Sequence, residues 1–505
     1  MHNNKYIFIL CFVFAFFISG CASQVEFEPL EPQYKLAPPK DSVLAEYVKS
    51  HKKPELTGVK TLADGLDAFI ARLAMIESAT TSIDLQYYIY RNDDVGKMLT
   101  LFLYQAAERG VRVRILLDDM TTASYDDGWM VIANHPNISV RLFNPSYERH
   151  YRGIAFITNF TRMNHRMHNK SLTIDNLVSI VGGRNIGAEY FSANEDVEFG
   201  DLDVLTIGEA VDDVSTQFDT YWNSKQVQSI QQLVPANDIN TNLELLIQEA
   251  ANYKATLASS EYYKRLENSS LLERLKNQSV QWYWGKADVV YDPPNKLKAS
   301  SDTPILLDDL NYFFNQTQQR LVIVSPYFVP GDAATNAFIK GVKQGKDITI
   351  VTNSLAATDV LAVHAGYQQY RQKLVEGGVK IYEVKGSPTE KKSSWKGSSR
   401  SSLHAKTFVI DEDIVFVGSF NFDPRSALIN TEMGIVIESQ QLAKDMVAGL
   451  TESAVSKAYE LAIEDGDLVW IDNTDGKVIY AEPGAGFWRK FFADFLALLP
   501  IESQL

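Results

Sequence analysis

The stretch Met167–Gly187, MHNKSLTIDNLVSIVGGRNIG, returns in outline at Leu403–Asp423, LHAKTFVIDEDIVFVGSFNFD. Both copies read His-x-Lys, four residues, then Asp: His168, Lys170, Asp175 and His404, Lys406, Asp411. Seven residues past each Asp comes Gly-Gly or Gly-Ser, and then Asn185 or Asn421. Side chains alternate faces in an extended strand, so His and Lys two apart point the same way. Leu172 and Ile174, like Phe408 and Ile410, continue an apolar period of two, as a half-buried strand requires. Asp175 and Asp411 then fall at strand ends, where a turn begins. The repeat reaches beyond the motif. ERGVRVRILLDD (108–119) matches QGKDITIVTNS (344–354), with Gly110 facing Gly345, and SIDLQYYIY (82–90) matches LVIVSPYFV (321–329), with Tyr88 against Tyr327. A nearly constant offset points to duplication. Each half reads helix, strand, helix (Val95–Gly110; Ala333–Gly345), strand, then the His-x-Lys strand and its hairpin partner, which predicts an α/β half: a mixed sheet flanked by helices.

The residue types suit phosphoester chemistry. A phosphodiester is anionic, and two lysines can hold its oxygens and stabilise the charge of the transition state. A neutral imidazole can attack phosphorus, and a protonated one can give the departing alkoxide its proton. One motif supplies half a site and two supply a whole one. His165 and His168 also form an H-x-x-H pair, but no third ligand cluster accompanies it and the second copy lacks it, so no metal and no cofactor is expected. GGRNIG is not a dinucleotide fingerprint, because Arg184 stands at the second required glycine.

These residues resemble the phospholipase D superfamily, whose signature is His-x-Lys-x4-Asp followed by Gly-Gly/Ser and Asn. The closer resemblance is to bacterial cardiolipin synthases, the C type in particular. It is carried by DLQYYI (84–89), RGVRVRILLDD (109–119), RMHNKSLTIDN (166–176), VGGRNIG (181–187), TNSLAATDVLAVHAGY (352–367) and SFNFDPRS (419–426), and spans residue 57 to the C-terminus. The resemblance implies two tandem halves packed with their motifs meeting at a pseudo-two-fold seam. It implies a phosphatidyltransferase acting through a phosphatidyl-histidine, with membrane phospholipids as partners. His168 is expected as nucleophile and His404 as acid/base, with the reverse order open. Hydrolysis by a phospholipase, a nuclease, or a lipid-binding scaffold with a decayed site are the alternatives; both motifs being complete speaks against decay. Each imidazole needs an orienting carboxylate. Glu432 in NTEMGIVI and Asp201 in GDLDVLTI hold similar places after the Asn of each motif, with Asp203 a second candidate in the first half. Asp175 and Asp411, although within the signature, are expected to fix the motif turn through backbone hydrogen bonds. Ser419, Asn185 and Asn421 are expected to hold phosphate oxygens or the lysines. Tyr87, Tyr88, Tyr327, Phe328 and Trp395 offer apolar material for a mouth that excludes water.

At 505 residues, the chain has room for two or three domains. Residues 1–20 read as a signal peptide ending in Ile18-Ser19-Gly20-Cys21, which resembles a lipobox with Cys21 as the lipidated residue. Ordinary cleavage before Ala22 and a retained anchor are the alternatives. Cys11 would leave with the signal, so no disulfide is expected. Ala22 after the cysteine resembles lipoproteins sent to the outer membrane, giving an expected periplasm-facing, lipid-anchored protein of the bacterial envelope. The remaining expected boundaries are a proline-rich tether at 21–56, a first half at 57–235 (motif about 162–189), a connector at 236–300, a second half at 301–460 (motif about 398–425) and an extension at 461–505. A formal charge of −15 repels a nucleic-acid backbone, so no nucleic acid is expected as partner. EKKSSWKGSSRSS (390–402) reads as a solvated basic loop, with a lid for anionic headgroups as the alternative. GFWRKFFADFLALLPIESQL, at the C-terminus, is expected to pack on the body, with an interfacial helix as the alternative.

Overall fold

Two mixed sheets of matching topology share one strand. In the computed structural model the first half supplies β1 (Thr57–Leu62), α1 (Gly65–Ser78), β2 (Ser82–Tyr87), α2 (Asp94–Glu108), β3 (Arg112–Asp118), β4 (Ile138–Phe143), β5 (Ser171–Ile174), β6 (Val178–Gly182), β7 (Asp203–Gly208) and α3 (Ala210–Trp222). β2, β3 and β4 pair in parallel, and β2, β5, β6, β7 and β1 follow as an antiparallel run. After β8 (Tyr283–Tyr291), the second half repeats the order. Its elements are α4 (Leu306–Gln316), β9 (Arg320–Val324), α5 (Gly331–Lys343), β10 (Asp347–Asn353), α6 (Leu361–Glu376), β11 (Lys380–Val384), β12 (Thr407–Ile410), β13 (Ile414–Gly418), β14 (Met433–Glu438) and α7 (Gln440–Lys457). Here β9, β10 and β11 are parallel, while β9, β12, β13, β14 and β8 are antiparallel.

β8 stands in the second sheet where β1 stands in the first, and its first residues also pair with β1, so the hydrogen-bonded ladder runs through both halves. The stretch expected as connector therefore includes a strand of the second sheet, beside the helices Leu243–Ala258 and Ser270–Lys276. Beyond β11, β15 (Ala458–Glu464), β16 (Asp467–Asp472) and β17 (Lys477–Ile479) widen the second sheet, and α8 (Phe487–Ala497) closes the chain.

The strands are buried on both faces, as in sheets covered by helices. Leu321 and Ile323 pack on one side with Leu310 of α4 and Phe338 of α5, while Val322 and Val324 pack on the other with Leu442 of α7. Where β2 and β3 carry polar residues inside, they are paired: Arg114 holds Asp84 through two contacts of 2.7 and 2.8 Å and Asp219 of α3 at 2.8 Å. The repeat extends to its punctuation. Gly110 and Gly345 close α2 and α5 with φ near +90° (92° and 90°), a left-handed turn that glycine enters without a Cβ clash.

The structure describes residues 28–505 except 123–124, 150, 154, 156–158, 193–197, 236–240, 259–263, 265–267, 301–302 and 387–400. The chain divides into the units Met1–Glu31 and Pro32–Leu505, and both sheets belong to the second. Cys21 and Trp395, and with Trp395 most of the basic loop, lie outside the described residues. The tether expected at 21–56 is corrected from residue 33 onward. Lys35 N donates to Asp219 (2.7 Å), the Gln33 carbonyl accepts from Arg114 (2.9 Å), and Ser42 caps a helix, Val43–His51, that buries Leu44, Ala45 and Val48. Proline excludes a helix from the first part of this stretch, yet an extended backbone still finds partners along α3.

Candidate active site

Each His-x-Lys strand is entered through a backbone contact with the opposite half. His168 N donates to the Thr431 carbonyl at 2.8 Å, one residue before Glu432. His404 N donates to the Gly200 carbonyl at 2.8 Å, one residue before Asp201. Short parallel pairing of Glu198–Gly200 with Ser401–Leu403 guides the second entry. These crossed contacts bring each imidazole to a carboxylate from the other half. His168 Nδ1 lies 2.8 and 3.1 Å from the two Glu432 oxygens and 3.1 Å from the Ser419 carbonyl. All three accept, so Nδ1 carries the proton and Nε2 keeps its lone pair. His404 Nδ1 lies 2.5 Å from Asp201 Oδ2 and 2.9 Å from Lys406 Nζ, and the nearer carboxylate accepts the Nδ1–H hydrogen bond. Lys170 and Lys406 each donate to the carbonyl of the histidine two residues before them. All six side chains are buried.

Burial and charge set the protonation states. Burial, then the ammoniums of Lys170 and Lys406 and the charge of His404, hold His168 well below the usual imidazole range. Burial and Lys406 also lower His404, but Asp201 opposes that shift. Burial brings Lys170 down to about 7 and Lys406 to about 8, against the pull of the same carboxylates. The two carboxylates differ. Burial pushes Glu432 up to about 7, whereas Asp201, equally buried, is held below the usual carboxylate range by His404 and Lys406.

The remaining expected residues divide. Asp203 is occupied by Arg72 (2.8 Å) and by the Arg184 amide (3.1 Å), which leaves Asp201 as the partner of His404. Ser419 is engaged by its own half: its hydroxyl donates to Glu432 Oε2 at 2.5 Å and accepts from Met433 N at 3.0 Å. In the first half Gly183 takes the place of that serine, and a Cβ there would meet Asp201 Oδ1 at 2.2 Å. A shorter acid thus needs a bare backbone beside it, and a longer one is braced by a hydroxyl. Asn185 bonds Ile89 N (3.2 Å) and the Tyr190 hydroxyl (2.9 Å), while Asn421 Oδ1 is buried without a hydrogen-bond partner. Asp175 and Asp411 do not join the histidines. They sit at the far ends of β5 and β12, and Asp175 accepts from the amides of Thr80, Thr81 and Ser82 and from both threonine hydroxyls. Asp411 does the same for the amides of Gln318, Gln319 and Arg320. The turn they fix is the one entering the neighbouring strand, not their own. Tyr87 is bonded to Arg72 and Phe328 lies in the core; Tyr88 and Tyr327 are the half-buried pair.

Three groups at the site escaped the sequence. Tyr190 sets its ring edge to His404 at 5.2 Å, much as Tyr88 does to His168 at 5.0 Å. Asp359 accepts from the Tyr327 hydroxyl at 2.8 Å and, through its charge, raises Lys406. Asp423, buried and pushed up to about 6, caps the turn at Ser426. Asp359 and Asp423 lie in stretches already singled out for their resemblance, and position relative to the motif was the signal available for Tyr190.

The fold and the crossed His–carboxylate pairs define a two-half phosphodiester-processing protein. A family model described as cardiolipin synthase, phospholipase D-like domain, matches residues 73–222 and 310–453, and the chain belongs to that family. Cardiolipin synthase C of Escherichia coli (strain K12) is 41% identical over 90% of this chain and 97% of its own. An uncharacterised protein of Helicobacter pylori (strain J99 / ATCC 700824) is 30% identical over 96% of this chain and 97% of its own. Among solved structures, phosphatidylserine synthase of Haemophilus influenzae Rd KW20 shares the fold, with a TM-score of 0.56 at 14% identity, covering 91% of this chain and 99% of the other.

Proposed function

We propose that the protein is a phosphatidyltransferase that makes cardiolipin from membrane glycerophospholipids. The observation that carries this is the pair of imidazoles at one seam, each oriented by the other half's carboxylate and flanked by a lysine. His168 Nε2 attacks phosphorus, and the P–O bond to the first alcohol breaks. His404, as the imidazolium, gives its Nε2 proton to the departing alkoxide, leaving a phosphatidyl group on His168. The hydroxyl of an acceptor lipid then gives its proton to His404 and displaces His168 from phosphorus. The asymmetry supports this assignment of roles. His168 is the imidazole held more firmly neutral, as a nucleophile must be, and His404 has the ionised carboxylate that stabilises an imidazolium. Lys170 and Lys406 neutralise the charge that develops on the phosphoryl oxygens. Asp201 and Glu432 orient the imidazoles, Ser419 braces Glu432, and Asn185 holds Tyr190 beside His404.

The relatives act where lipids are, and the proposed setting is the bacterial envelope, with Cys21 carrying the lipid anchor and the body facing the periplasm at the outer membrane. No described helix is long and apolar enough to cross a membrane. Mass spectrometry of the mature N-terminus tests the anchor: diacylglyceryl-modified Cys21 is expected, and an intact Met1 or a free Ala22 rejects it. The activity is tested by incubating the purified protein with labelled phosphatidylglycerol in vesicles. Cardiolipin and glycerol are the expected products; phosphatidic acid alone would reassign the protein as a hydrolase.

A further inference from the structure

The last helix leaves its apolar side uncovered. α8 exposes Phe487 (72%), Trp488 (67%), Phe491 (49%), Phe492 (46%) and Phe495 (51%), and Leu498 just beyond is 82% exposed. Positions 487, 488, 491, 492, 495 and 498 follow the helical period, so they form one face. Ala493 is the buried residue of the helix, on the side that packs against α6. The helix's one acidic residue, Asp494, accepts from Gln368 of α6 at 3.3 Å. Eleven residues span about 16 Å at 1.5 Å each, too short for a hydrocarbon core of about 30 Å but suited to lying in its surface.

The helix also borders the active site. Arg489 Nε donates to the Leu355 carbonyl at 2.6 Å, and its Nη2 donates to the carbonyl of Thr358. The next residue, Asp359, holds Tyr327 at the site wall. Past α8, the Leu505 carbonyl accepts from Arg425 N at 2.6 Å and Gln504 accepts from Asn164 at 2.9 Å, which ties the C-terminus to both halves at once. Asn164 ends a short helix, Phe160–Asn164, whose Phe160 is 47% exposed, and Tyr151 shortly before it is 68% exposed.

We infer that this aromatic face of α8 inserts into the surface of a phospholipid bilayer and holds the seam open toward the lipid headgroups. The inference rests on the proposed lipid substrate, and it commits to a bilayer because α8 is anchored through Arg489 to the Leu355–Thr358 stretch next to Asp359, while the site is proposed to take its lipid from a bilayer. Aromatic side chains at headgroup depth supply binding without a spanning segment. A lipid then moves from bilayer to seam past Tyr327 without crossing water.

The test uses the full-length chain and a variant with Trp488→Ser, Phe491→Ser and Phe495→Ser, all exposed positions. Turnover is compared on bilayer vesicles of phosphatidylglycerol and on monomeric dihexanoyl phosphatidylglycerol. The variant is expected to lose at least tenfold on vesicles and to stay within twofold on the monomeric substrate. Vesicles with brominated acyl chains are expected to quench the parent protein more than a Trp488→Phe variant. Unchanged turnover on vesicles, or an equal loss on both substrates, overturns the inference. So does sedimentation showing that the face joins two copies, with no Trp488-dependent quenching. If the parent turns over neither substrate, the proposed function fails, while the quenching experiment still decides the docking.

Discussion

At the scale of single residues, the site works by unequal treatment of two equivalent motifs. Both imidazoles are buried beside lysines, but one faces a glutamate pushed up to about 7 and the other an aspartate held low. His404, the acid, loses its proton first as pH rises, and the two lysines follow. Their values of about 7 and 8 lie far below the free range, so the free enzyme loses its phosphate-binding charge as pH rises through 7–8. His168, lowered well below 6.5, stays neutral across that window and contributes no rise to offset it. kcat/KM should therefore fall on the alkaline side, and kcat should fall at higher pH, because bound phosphodiester holds the lysines protonated. A profile flat to pH 9 would contradict this. The glycine beside Asp201 makes a second expectation. Gly183→Ala places a Cβ where the carboxylate sits, and kcat should drop roughly 10–100-fold, as when an orienting partner is lost elsewhere, with an unchanged far-ultraviolet spectrum. The histidines and lysines were legible because spacing in a strand determines which face they share. Glu432 was legible through the repeat, but Asp201 and Asp203 both fitted it. Only the buried pairing of Asp203 with Arg72 separates them, and that contact joins residues 131 positions apart.

Among the elements, the motif strands serve as much to assemble the sheet as to display the histidines. Asp175 and Asp411, parts of the signature, close the opposite ends of these strands by collecting backbone amides. Asp175→Ala leaves three amides without their acceptor and should cost ~2–4 kcal/mol of stability. Chemical denaturation should show that loss, with kcat of the folded fraction nearly unchanged at low temperature. A large fall in kcat at full stability would put Asp175 in the chemistry. Strand periodicity and the Gly110/Gly345 equivalence made the paired helices and strands of each half readable. β8 was obscured because WYWGKADVVY lies outside the repeat's obvious matches, and its strand character comes from partners in both sheets. The segment from residue 33 was obscured for another reason: proline-rich composition describes what a chain cannot form locally, not what it can bind.

For the whole molecule, the proposed mechanism makes neither half a complete catalyst. The shared strand β8 makes the two sheets one ladder, and the crossed contacts His168–Glu432 and His404–Asp201 make the active site a property of their junction. Removing either histidine should stop turnover, and removing both should cost no more than removing one, since the two act on a single path. The most direct test is to map the covalent intermediate. Protein quenched during turnover of labelled phosphatidylglycerol is digested, and the peptide carrying the phosphatidyl group is identified by mass spectrometry. The parent protein should carry it on His168, and His168→Ala should carry none. A phosphatidyl group on His404, or turnover that proceeds without any covalent adduct, would contradict the account.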